Sequence, residues 1–102
     1  MKKTNAGLLA ISLLMTTAAP TFAAPPVGQL LASQCFQCHG TNGQSVSRID
    51  SIGGKDASEM LKKLLEMKAT TELEVMNQQA KVYTDVELRL IANYLATLPS
   101  TD

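Results

Sequence analysis

Cys35-Phe36-Gln37-Cys38-His39 is the stretch on which the reading of this 102-residue chain turns. A C-x-x-C-H run reads as a c-type haem attachment site. The two thiols add to the two vinyl groups of one porphyrin, and the adjacent imidazole becomes a proximal ligand of the iron. The chain has two cysteines and one histidine, and this run uses all three. A disulfide or a thioredoxin-like redox pair is the first competing reading, but the alternating strand and helix pattern of such a fold is missing. Zinc is the second, and it wants four ligands where Cys35, Cys38 and His39 exhaust every Cys and His.

Working outward toward the N-terminus, Lys2 and Lys3 give a basic start and Ala6 to Ala19 a short apolar stretch. Thr21-Phe22-Ala23 then supplies small residues at cleavage spacing. This predicts a secretory signal peptide over residues 1–23, cut after Ala23, and a periplasmic location. The apolar stretch is too short to span a bilayer, so no stable membrane anchor is expected. The second unit, residues 24–102, holds 79 residues. A core of that size is marginal without a staple, and a covalent haem would serve as one. Without Lys2 and Lys3, seven basic residues face nine acidic ones. That balance argues against a nucleic-acid partner, because phosphate binding needs a basic surface.

Beyond the motif the pattern is helical. Leu30, Leu31 and Ala32 allow a short helix from Val27 to about Cys35, and Gly40 is a stop after the attachment site. Residues 41–55 read as a loop around the haem edge, with turn signals at Asn42-Gly43 and Gly53-Gly54. Asp56-Ala57-Ser58-Glu59 has capping-box spacing and opens a helix to about Lys68. Met60, Leu61, Leu64, Leu65 and Met67 form its apolar stripe, with Lys62 and Lys63 off it. Thr84-Asp85-Val86-Glu87 repeats the capping signature. Leu88, Ile91, Leu95 and Leu98 recur at three- and four-residue steps in the last helix, Tyr94 flanks them, and Pro99 is the stop. No segment alternates long enough for a strand. The expected fold is all-α: three principal helices and loops wrapped around one covalently attached haem.

A haem held by His39 has a sixth iron position. Met60, Met67 and Met76 compete for it. Met60 and Met67 lie on the helical stripe, where a Met usually fills core gaps. Met76 lies outside the strong periodicity, in a stretch read as irregular chain, where ligands tend to be carried. It is therefore the expected distal ligand, with Met67 next. A Met thioether closes the site and raises the reduction potential, which suits electron transfer. The other ring nitrogen of His39 needs an acceptor, and residues 48–52 are the plausible source of a carbonyl.

Cys35-Phe36-Gln37-Cys38-His39-Gly40, a glycine-containing loop, a middle helix and a Met before a final amphipathic helix resemble the small bacterial class I cytochromes c over essentially the whole of residues 24–102. Ile91-Ala92-Asn93-Tyr94-Leu95 looks like their final-helix pattern. Ala80-Lys81 with Tyr83-Thr84-Asp85 is closest to the cytochrome subunit of flavocytochrome c sulfide dehydrogenases. The resemblance implies thioethers at Cys35 and Cys38, His39 as proximal and Met76 as distal ligand, and a crossing of the first and last helices helped by Tyr94. The family often has a Pro in the loop whose carbonyl receives the histidine proton. Asp50 stands there instead, without the rigidity of Pro.

Three functions compete at this point. The leading one is an electron carrier, not an enzyme, with one haem c and redox-protein partners. The alternative is the electron-accepting subunit of a sulfide-oxidising complex with a flavoprotein subunit, motivated by residues 76–85. The third is an open-site haem sensor or peroxidase-like protein, for which no spare acid–base pair is visible.

Overall fold

Asp56 and Thr84 start the two long helices, as their capping spacing predicts. The computed structural model describes residues 2–3 and 7–101. Met1, residues 4–6 with the start of the expected signal stretch, and Asp102 lie outside the described residues. The elements are α1 (Gln29–Ser33), α2 (Phe36–His39), a 3₁₀ turn (Thr41–Gly43), α3 (Ala57–Ala69), α4 (Val75–Lys81) and α5 (Asp85–Ala96). Among the described residues every regular element is helical. Residues 7–26 carry no helix, and Leu8, Leu9, Ile11 and Phe22 there are exposed. No helix of the described residues is long and apolar enough to cross a membrane.

The caps differ in completeness. The Thr84 hydroxyl accepts from the Glu87 N–H at 3.1 Å, and the Thr84 N–H donates to Glu87 Oε2 at 2.8 Å, so the α5 box is reciprocal. Asp85 and Glu87 also place negative charge where the helix dipole is positive. Asp56 accepts the Glu59 N–H at 3.0 Å and the Ser58 hydroxyl at 2.5 Å. The Ser58 hydroxyl, then the Glu59 N–H, hold the Asp56 carboxyl below the usual carboxylate range.

The core lies where α3 and α1 pack on α5. Leu88, Ile91 and Leu95 are each 1% exposed and are the largest fully buried side chains. Leu64 supplies the buried point of the α3 stripe, while Lys62 and Lys63 face solvent as their off-stripe spacing predicts. Tyr94 is buried in the core rather than flanking it. Leu98 packs on the core although α5 ends at Ala96: the Thr97 hydroxyl donates to the Tyr94 carbonyl at 2.6 Å, closing the helix before Pro99.

Two segments depart from expectation. The single helix from Val27 to about Cys35 is two short ones. Its last bonds, Gln34 N–H to Leu31 O and Cys35 N–H to Ala32 O, are three-residue bonds that tighten the final turn. The chain then restarts with Cys35 as the N-cap of α2. The stretch containing Met76, read as irregular, is the helix α4. Its N-cap, Glu74, makes no side-chain capping bond, so the usual start signal is absent.

Gly28 sets the crossing of α1 on α5. Its φ is +87°, and an added Cβ would sit 2.3 Å from the Leu90 carbonyl oxygen and 3.2 Å from Tyr94 Cβ. This is the first-to-last helix crossing expected to involve Tyr94. Gly28→Ala combines left-handed strain with overpacking against backbone, and it should destabilise the haem-loaded protein by about 3 kcal/mol. Denaturant melts of the two proteins check this. An unchanged midpoint would mean that the crossing tolerates a side chain.

Candidate haem site

The attachment residues stand on one short helix. Cys35 caps α2, Cys38 lies on it, and His39 ends it before Gly40. Cys35 is a half-buried free thiol and Cys38 an exposed one. Burial pushes the Cys35 thiol pKa up.

His39 Nδ1 lies 2.6 Å from the Asp50 carbonyl oxygen. A carbonyl can only accept, so Nδ1 carries the proton and Nε2 keeps its lone pair for a metal. The acceptor falls inside the predicted residues 48–52, at the position where the resemblance expects Pro. The rigidity that Pro would bring comes from hydrogen bonds across the loop. The Gly43 carbonyl accepts from the N–H groups of Ile52 at 2.8 Å and Gly53 at 3.0 Å. The Ser51 hydroxyl accepts from the Ser45 N–H at 3.0 Å, and the Gly54 N–H donates to the Leu95 carbonyl at 2.9 Å. The two turn signals are thereby laced to each other and to the end of α5. Gly43 and Gly53 meet backbone to backbone: a Cβ on Gly43 would lie 2.6 Å from Gly53 N.

Around the buried core many apolar side chains are only partly covered. Cys35, Phe36, Ile52, Met60, Leu61, Leu65, Met76 and Leu98 pack against the buried cluster yet remain half-buried. A metal-oriented imidazole, two free thiols and a set of half-covered apolar side chains fit a porphyrin, whose plane is apolar and whose vinyl groups react with thiols.

Met76 is the second residue of α4 and is half-buried against the core. Met60 and Met67 are half-buried residues of α3, and Met60 packs on the same cluster. Sequence reasoning missed three supports of the site. Asn77 is buried (6% exposed) and donates from Nδ2 to the Glu72 carbonyl at 3.3 Å, closing the turn before Met76. Lys68 pairs with Asp85 at 2.7 Å, joining the end of α3 to the start of α5. The Lys81 ammonium donates to the carbonyls of Met67, at 3.5 Å, and Thr70. Capping spacing could have pointed to the charge of Asp85, but nothing local marks its partner.

A helical chain with these groups is a c-type haem protein. Residues 27–99 match the cytochrome c family model. The chain is 40% identical over 72 residues to the cytochrome subunit of sulfide dehydrogenase of Chlorobaculum tepidum, covering 70% of this chain and 66% of that one. It is 34% identical over 86 residues to cytochrome c4 of Thiocapsa roseopersicina, covering 82% of this chain and 45% of that one. The chain thus spans just under two thirds of the first relative and less than half of the second. It belongs to the cytochrome c family, as a class I electron carrier, and its cofactor is covalent haem c, whose C-x-x-C-H attachment motif Cys35 and Cys38 fit.

Proposed function

We infer that this protein is a periplasmic carrier of single electrons with a closed His/Met iron site. The observation that carries the reading is the 2.6 Å bond from His39 Nδ1 to the Asp50 carbonyl, which presents Nε2 as a ligand. When bound, the haem supplies a one-electron iron couple. The chain's own residues supply the rest. Cys35 and Cys38 would hold the haem through thioethers, and His39 and Met76 would be its iron ligands. The half-buried apolar residues would exclude water from the bound group. Export rests on the basic start, the apolar stretch and the Thr21-Phe22-Ala23 cleavage spacing, with the working protein starting at Ala24.

A second reading is favoured by one comparison. The 40% identity to a sulfide dehydrogenase cytochrome subunit supports this chain as the electron-accepting subunit of a sulfide-oxidising complex, with a flavoprotein as partner. Gentle isolation from the native host, followed by haem and flavin assay, separates the two. A subunit co-elutes with a larger flavin-containing polypeptide in equal amount. A free carrier elutes alone and without flavin, and that result would remove the subunit reading.

A further inference from the structure

α4 is too short to stand by itself. It has seven residues, no side-chain cap at Glu74, and its second residue is Met76. Isolated helices of this length do not persist in water, so its position comes from what ties it to the body of the protein. Besides the packing of Met76 on the core, three features hold it. Ala80 is buried at 1% exposure, which seats the last turn. The Asn77 side chain holds the Glu72 carbonyl, which shapes the entry to the helix. Among the described residues, Lys81 is the α4 side chain whose hydrogen bond reaches α3: its ammonium donates to the Met67 and Thr70 carbonyls.

Those carbonyls belong to the end of α3, where the last turn has no intrahelical donors and the helix dipole is negative. A lysine ammonium brings three donors and a positive charge to that spot. The contact spans the base of the loop from Thr70 to Glu74, and Lys68–Asp85 joins the end of α3 to the start of α5. Pulling α4 and its Met away from the body would break the charge-assisted bonds of Lys81 to the end of α3.

We propose that Lys81 is the positioning residue for Met76: its grip on the C-terminal carbonyls of α3 holds α4 where the Met76 sulfur meets the iron. The proposal rests on Met76 being the distal ligand. It assigns Lys81 no contact with the haem.

Competition by imidazole for the oxidised iron tests it, in the haem-loaded protein, because imidazole binds only when the Met swings away. Lys81→Met keeps the length and apolar stem but loses the donors and the charge. Imidazole should bind that variant about tenfold more tightly than the unsubstituted protein. Lys81→Arg restores donors and charge, and should return affinity to within about twofold of the original. Lys62→Met is the control, since Lys62 is exposed and pairs with Glu66, at 3.9 Å, on its own helix; it should leave affinity unchanged. Met76→Ala is the reference for an open site. If Lys81→Met matches the unsubstituted protein while Met76→Ala binds far more tightly, the grip of Lys81 is irrelevant and the ligand assignment stands. If Met76→Ala also binds imidazole no better, the ligand assignment itself falls, and the positioning role with it. Failure of Lys81→Arg to rescue a tightened Lys81→Met would also overturn the role assigned to the carbonyl bonds.

Discussion

Met76→Ala should abolish the thioether-to-iron absorption band at the red edge of the oxidised spectrum and lower the reduction potential. The direction follows from the donor. A thioether is a soft, neutral ligand that favours the reduced iron, and its presence is what raises the potential of His/Met haem proteins. Alanine reaches nothing, so water or an added base takes the position. A site closed about 99% of the time makes a competitor bind about a hundredfold more weakly than to the open iron, so imidazole should tighten by that factor in the variant. Met60 and Met67 provide the internal comparison. Both lie on α3, and replacing either with Leu should leave the band in place. A band that survives Met76→Ala and vanishes in Met67→Leu would move the ligand to α3.

The second large effect is on folding. With both Cys35 and Cys38 replaced by alanine, no covalent haem can form, and the chain should lose its cooperative fold. The buried core is small: Leu88, Ile91 and Leu95 are its only large, fully buried side chains among the described residues. Phe36, Ile52, Met60, Leu61, Leu65, Met76 and Leu98 remain half-covered, and a bound macrocycle would be the surface for them to complete their burial against. Apolar burial contributes about 25 cal/mol per Å², so a porphyrin plane is a major share of what a chain of this length can bury. Far-ultraviolet circular dichroism should show a weak helical signal and a gradual, non-cooperative melt. A sharp native-like transition in the haem-free variant would show that the polypeptide core suffices.

Local signals were readable from the sequence and tertiary ones were not. Asp56 and Thr84 were visible as helix starts because a cap is a contact over three residues. The α3 and α5 stripes were visible because burial follows a 3.6-residue period. α4 escaped because Glu74 offers no capping bond and the helix is held in part by Lys81, whose partners lie at the end of α3. Gly28 looked like any glycine after Pro25 and Pro26. Its role depends on the Leu90 carbonyl, over sixty residues away along the chain. At the site, Cys35, Cys38 and His39 stand together on α2 as their spacing implies. Asp50 was legible as the acceptor from its place in the family pattern; how Gly43 and Ser45 lace the loop that holds it was not, because no short motif encodes those bonds.

The central claim is an electron-transfer site whose iron is closed on both faces. Exposure of the reduced, haem-loaded protein to carbon monoxide at neutral pH tests it most directly. The His39/Met76 account predicts an unchanged reduced spectrum, with a carbon monoxide complex forming readily only in Met76→Ala. Rapid formation of that complex in the unsubstituted protein would contradict the account and make the protein an open-site haem protein.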